Sequence, residues 1–196
     1  MGDARKNYGI TGGPCAGKTA VTEGLRKDGF IIVPEAARLV KRRNRRFGGP
    51  QPEKNFEDFE EDVLDAQTRL DIKHRSVVRF HDRTFCDNIA YYNFNHITAP
   101  QFLMEMIDRY RFDKIFYLSQ LNFYTQDKYR LETKEEADML QKLIRESYYS
   151  HGYDIIEIPF LPVCDRIQII KGHIQGDLEI LSSTLGCTAQ KLKGLK

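Results

Sequence analysis

The sequence predicts an α/β fold in which a central, mostly parallel five-stranded sheet lies between two layers of helices. Three observations lead there. Short apolar segments alternate with amphipathic ones from end to end, a glycine-rich loop joins the first strand to the first helix, and the second and third strands each run into an acidic residue at the carboxyl end.

Residues 8–11 read as the first strand. Gly12-Gly13-Pro14-Cys15-Ala16-Gly17-Lys18-Thr19 follows, a complete G-x-x-x-x-G-K-[ST] phosphate-binding loop. Its glycines let the chain curl until backbone N–H groups converge on phosphate oxygens, and the next helix presents its positive end to the same anion. That helix begins near Gly17, carries Val21 and Leu25 four apart and stops at Asp28-Gly29. Residues 30–33 are the second strand. Four apolar residues in a row suit a strand covered on both faces, and Pro34 ends the ladder so that Glu35 stands just beyond it.

A helix from about Ala36 carries Arg38, Lys41, Arg42, Arg43, Arg45 and Arg46 before Gly48-Gly49-Pro50-Gln51-Pro52 forces a loop. Residues 56–75 form a long acid-rich helix, with Phe56, Phe59, Val63, Ala66 and Leu70 at spacings of three and four. Residues 77–81 are the third strand, running into Asp82-Arg83 in the form of a Walker B element. Residues 114–118 and 154–158 supply two more strands, and Ile167, Ile170, Ile174, Leu178 and Leu181 mark a last helix. Residues 1–185 are therefore read as one domain with a lid near 122–134, and the weakly patterned 186–196 as a mobile tail.

At 196 residues, 41% hydrophobic and 30% charged, the composition is that of an ordinary soluble globule. No apolar run is long enough for a membrane span, and no apolar leader precedes the first strand, so a cytoplasmic location is expected. Lys6 occupies the position where a myristoylation pattern at Gly2 wants Ser or Thr. Cys15, Cys86, Cys164 and Cys187 lack metal or disulfide spacing and read as reduced thiols. A net charge of +2 neither favours nor opposes nucleic acid.

The loop predicts a bound nucleoside triphosphate, ATP or GTP, with Mg²⁺. Lys18 would reach the β and γ phosphates, and the Thr19 hydroxyl is the usual magnesium ligand. There is no Asn-Lys-x-Asp segment, and the acid after the third strand opens Asp82-Arg83-Thr84-Phe85, not Asp-x-x-Gly. A Ras-like switch is thereby disfavoured. A small-molecule kinase needs the loop, Mg²⁺, a basic lid and a carboxylate near the acceptor hydroxyl, and each has a candidate. Lys128 and Arg130 lie where a lid would close; Glu35 stands beyond the second strand; Asp82 could hold Mg²⁺ through water; Arg83 could clamp a phosphate or acceptor oxygen; Arg38, one turn after Glu35, faces the same cleft.

Ile10 through Thr19, Val33-Pro34-Glu35-Ala36-Ala37-Arg38, Asp82-Arg83 through Asp87 to Ala90-Tyr91-Tyr92, and Asp127-Lys128-Tyr129-Arg130 together resemble the NadR-like P-loop family. That family includes the ribosylnicotinamide kinase domain and is similar in plan to thymidylate and deoxynucleoside kinases. The resemblance spans roughly residues 7–175 and implies a three-layer P-loop NTPase fold of the nucleoside and nucleotide kinase kind. By motif it implies that Glu35 is the base and that Arg83 contacts acceptor and phosphates. It leaves the acceptor unnamed.

Each residue also has a plainer reading. Glu35 could complement the positive end of its helix, Arg83 and Asp87 could be structural, and Tyr91, Tyr92 and Phe94 could be core rather than stacking partners for a planar base. Gln67 is a candidate for reading a base edge. The basic run 38–46 could meet phosphates, but acids within 53–65 could neutralise it inside the fold or across a homodimer, so polynucleotide binding is disfavoured. Three functions remain in order: a Mg-ATP phosphotransferase acting on a nucleoside-like or other small hydroxyl acceptor, a regulatory ATP- or GTP-binding NTPase working through a protein partner, and a polynucleotide 5′-hydroxyl kinase.

Overall fold

The computed structural model describes residues 5–120, 133–186 and 188–193. In chain order its elements are β1 (Lys6–Thr11), α1 (Lys18–Lys27), β2 (Ile31–Val33), α2 (Ala36–Phe47), α3 (Phe56–Lys73), β3 (Val78–Asp82), α4 (Phe85–Phe94), α5 (Gln101–Arg109), β4 (Lys114–Leu118), α6 (Lys134–Ser150), β5 (Ile155–Ile158), α7 (Val163–Leu185) and α8 (Ala189–Leu192). The helices start where short polar side chains can take up free backbone N–H groups. Asn55 accepts from the Asp58 N–H, and Thr84 and Thr133 form capping boxes with Asp87 and Glu136.

The sheet has five strands in the order β2-β3-β1-β4-β5, and every pairing is parallel. A strand that is buried on both faces must supply apolar side chains to both, and β4 does so. Phe116 and Leu118 pack with Val21 and Leu25 of α1 and Ile170 and Ile174 of α7. Ile115 and Tyr117 pack on the other face with Ile89 of α4 and Ile144 and Tyr148 of α6. A smaller cluster of Ala36, Val40, Phe59 and Val63 joins α2 to α3.

Val78 and Phe80 of β3 face the α1 and α7 side, so its alternate residues Arg79 and His81 are buried on the other side, where an apolar strand was expected. The described part of the predicted mobile tail also departs from expectation. Leu192 of α8 is fully buried in the α1 and α7 core, and Lys193 Nζ donates to the Asp28 carbonyl at 3.1 Å while lying 4.6 Å from the Phe30 ring centre. Burial of that leucine contributes about 1.5–3 kcal/mol towards docking the short helix, and the Lys193 contacts add to it.

The register places the strand ends side by side. Ile10 of β1 is level with Asp82 of β3, and Val33 of β2 with His81. The phosphate-binding loop, Glu35 and Asp82-Arg83 therefore share the carboxyl edge of the sheet, where ligands bind in open α/β folds.

Candidate active site

The loop owes its shape to glycine at two points. A Cβ at Gly12, whose φ is +138°, would lie 2.5 Å from the Leu118 carbonyl oxygen of β4, so no side chain fits there. Gly17, at φ +79°, turns the chain into α1, and the guanidinium of Arg166 lies 3.0 Å from where its Cβ would be. Lys18 curls back to donate to the Gly12 and Gly13 carbonyls at 2.7 and 2.8 Å. Burial, and then the charge of Arg83, lower its pKa to about 8. Anionic phosphate oxygens are stronger acceptors for an ammonium than these carbonyls.

Beside the loop, charged groups form a chain of contacts. Glu35 precedes α2, yet its carboxylate makes no helix-capping hydrogen bond. It accepts from Arg83 Nε at 3.1 Å and pairs with Arg38 at 3.2 Å, and Arg38 also donates to the Thr19 hydroxyl at 3.2 Å. Burial alone would raise the Glu35 pKa; Arg83, then Arg38 and Lys18, outweigh it and hold the carboxyl below its usual range. Arg83 has φ +74°, a left-handed conformation that costs a non-glycine residue of order 1 kcal/mol. Its partners hold it there. Besides Glu35 these are Asp87 at 2.9 Å and the Tyr91 ring, 5.3 Å from the guanidinium carbon.

Asp87 is almost fully committed. Its carboxylate accepts from the Thr11 hydroxyl at 2.6 Å, the Thr84 backbone N–H at 2.9 Å, the Tyr148 hydroxyl at 2.6 Å and Arg83. It positions Arg83 and has little capacity left for a substrate. Asp82 is the reverse case, because its Oδ1 is buried with no hydrogen-bond partner. Burial, and then the negative charge of Glu35, raise its pKa to about 6. An orphaned carboxylate oxygen at a strand end, on the same sheet edge as the loop that carries the Thr19 hydroxyl, suits Mg²⁺, a cation that keeps several waters and takes few protein ligands. Among the described residues no group of three or more metal-ligating side chains occurs.

From this edge a cavity of about 370 Å³ opens between α2, α3 and α4. Glu35, Asp82 and Arg83 stand at one end and Phe56, Phe59, Tyr91 and Phe94 along its walls, whereas Tyr92 is turned into the core against Phe56. Gln67 also lines it, as do two buried residues the sequence did not single out, Glu60 and Asn88, joined by a 2.9 Å hydrogen bond. Burial raises the Glu60 pKa to about 7 against the opposing effect of Asn88.

A family model described as an AAA domain matches residues 7–166. The chain belongs to the AAA domain family. No curated protein matches it by sequence. Among solved structures, NadR in complex with NR superposes with a TM-score of 0.66 at 14% identity, covering 98% of this AAA domain chain and 52% of NadR. NadR with NAD and AMP-PNP gives 0.65 at 14% identity over 87% and 49%. Thymidylate kinase from Candida albicans gives 0.60 at 11% identity over 88% and 92%. This AAA domain therefore has the fold of NadR and of a nucleotide kinase, and it spans about half the length of the NadR chains it matches.

Most of the residues expected at the site meet there: Gly12 to Thr19, Glu35, Arg38, Asp82, Arg83, Asp87 and Tyr91. Lys128 and Arg130 lie outside the described residues. Of the basic run, Lys41 pairs with Glu53 at 3.0 Å and Arg43 with Asp62 at 2.6 Å, so part of its charge is met inside the fold. Sequence reasoning missed Arg166, a buried arginine of α7 that donates to the Ala16 carbonyl at 2.8 Å and braces the loop. One signal was available: Arg166 lies four before Ile170, which continues the apolar stripe through a charged residue.

Proposed function

We propose that this AAA domain is a Mg-ATP-dependent phosphotransferase whose acceptor is a nucleoside-like or other small hydroxyl compound. One observation carries the reading above all: the aromatic-walled cavity lined by Glu35 and Arg83 and by the buried polar groups Glu60, Gln67 and Asn88. A plain nucleotide hydrolase has no use for such a chamber, whereas a kinase must hold a second substrate in line with the γ-phosphate. The loop residues Gly12, Gly13, Pro14, Cys15, Ala16 and Gly17 would cradle the phosphates. Lys18, with Arg130 and Lys128, would offset charge on the transferring group. Thr19 and Asp82 would hold Mg²⁺, which when bound neutralises phosphate charge. Glu35 stays ionised at neutral pH because Arg83 and Arg38 face it, so it is able to accept the acceptor's proton. Arg83, fixed by Asp87, and Arg38 would orient acceptor and phosphate oxygens, with Tyr91 against a planar acceptor.

The test is ADP release on incubation with Mg-ATP and a panel of nucleosides, nucleotides and vitamins. Acceptor-dependent release supports the reading, and silence across the panel overturns it. A second reading, a nucleotide-dependent interaction protein, is favoured by the exposed Arg42, Arg46 and Phe47 at the end of α2. It requires turnover independent of any acceptor.

A further inference from the structure

A second cavity, of about 530 Å³, lies at the amino-terminal end of the same sheet, and the activity proposed above makes no use of it. Its wall is basic. Arg5, Arg75, Arg79, Arg109 and Arg111 line it together with only two acids, Asp71 and Asp113. Both acids already have partners inside the fold. Asp113 accepts from Lys6 Nζ at 2.7 Å and from the Asn7 backbone N–H at 2.8 Å, and Asp71 accepts from Arg79 at 2.6 Å.

The deepest of the five arginines is held rigidly. Arg79 is only 5% exposed, and it donates to Asn7 Oδ1 at 2.6 Å and to the Asp71 carbonyl at 2.7 Å as well as to the Asp71 carboxylate. Burial lowers its pKa against the pull of Asp71, and the charges of Arg5 and Arg75 lower it further, so these guanidiniums feel one another across the cavity. His81, also 5% exposed, lines the same space, and its Nε2 is buried with no hydrogen-bond partner, Asp71 Oδ1 standing 3.9 Å away. A cluster of like charges around a hollow, with a ring nitrogen in its wall, suits an anion with several acceptor oxygens.

The geometry points to this cavity as a second binding site, for a small phosphorylated molecule of about mononucleotide size. Its volume falls within the range of small-molecule sites. Planar guanidiniums pair with oxyanions two oxygens at a time, which favours them over a halide, and a phosphate, with three terminal oxygens and up to two charges, can engage more of these arginines than a carboxylate. Size also selects the ligand. A small anion entering the cavity can approach Arg79 and His81, whereas a duplex or a bilayer would meet only the exposed Arg5, Arg75, Arg109 and Arg111. The site is also linked to the other edge, since strand alternation sets Arg79 and His81 on one side of β3, and His81 lines both cavities.

Pyrophosphate titrated calorimetrically into the full chain carrying Lys18→Met, which removes the loop's main phosphate cation, tests the site independently of any kinase activity. Binding is expected to persist in that variant. Adding Arg75→Glu and Arg109→Glu, both at exposed positions, is expected to weaken it at least tenfold, and Arg109→Gln alone about threefold, so that the effect is read even where the double reversal disturbs folding. Absence of binding in the Lys18→Met protein would overturn the site, and so would binding that none of the arginine changes weakens. Capture of a duplex oligonucleotide or of anionic phosphatidylserine vesicles through these arginines, with no pyrophosphate binding, would overturn it equally.

Discussion

Asp82 sets folding against function within one side chain. The residue is 8% exposed, one carboxyl oxygen lacks a partner, and burial and the charge of Glu35 resist ionisation, raising the pKa to about 6. The ordinary value is 3.8, so the folded state binds the proton more tightly than the unfolded one. Stability linked to this group therefore grows as pH falls from about 6 towards 4 and is lost as pH rises through the same window. Metal-dependent nucleotide binding, which needs the anion, runs the other way. Asp82→Asn is expected to stabilise the free protein at pH 7.5 by about 1–2 kcal/mol, a rise of several degrees in melting temperature. The same variant is expected to lose at least tenfold in Mg-nucleotide affinity. In the wild type that affinity is expected to fall as pH drops through about 6, a limb absent from the variant. Calorimetry across pH 5–8 checks both. Glu35→Gln makes a separate test: acceptor-dependent turnover is expected to fall at least a hundredfold while nucleotide affinity changes by less than about threefold. Turnover within tenfold of the wild type would remove Glu35 as base and leave the rest of the site standing.

At the level of elements, the pairing of α4 with α6 decides how firmly Arg83 is aimed. Tyr148 of α6 donates to Asp87 at 2.6 Å and lies 2.7 Å from the Thr84 hydroxyl, and Asp87 in turn anchors Arg83. Tyr148→Phe leaves a buried carboxylate short of one donor, which costs about 1–3 kcal/mol. A melting temperature lower by about 3–10 °C is expected. If α6 also acts through Arg83, KM for the acceptor rises with it, an effect that a purely structural loss would not produce in the surviving folded protein. Nothing in the sequence showed this contact. The sequence left a helix to be expected between the fourth and fifth strands and set Asp87 shortly after a strand end, but the 61 residues between the two partners are bridged only by packing. Arg166 and Glu60 escaped for the same reason. A charged residue within an amphipathic helix reads as solvated until another element covers it, and α7 and α3 are both covered. Glu35, Asp82 and Arg83 were legible because strand ends in a parallel sheet converge by topology alone, whatever the side-chain packing.

For the whole molecule, the element order and the parallel sheet could be read because each strand is a short apolar run followed by a periodic helix. The β3 side facing α3 could not, since Arg79 and His81 break the apolar run and their burial depends on Asp71, Asn7 and Phe112 from three other segments. The arrangement makes nucleotide binding and global stability one quantity. The loop is braced by Leu118 of β4, Arg166 of α7 and Arg38 of α2, so a ligand that fixes the loop acts on every layer of the fold. A nucleotide at a hundred times its Kd contributes about 2.7 kcal/mol to the folded state. For a chain of this size that corresponds to a melting temperature higher by about 5–10 °C. Lys18→Met is expected to abolish that shift. The ligand-free protein should nevertheless melt within about 3 °C of the wild type, because the substitution relieves the buried ammonium while giving up its two hydrogen bonds to loop carbonyls. Melting curves with and without Mg-ATP and Mg-GTP, on both proteins, read this directly. A wild-type protein that neither triphosphate shifts would refute nucleotide binding itself, and the phosphotransferase reading would fall with it.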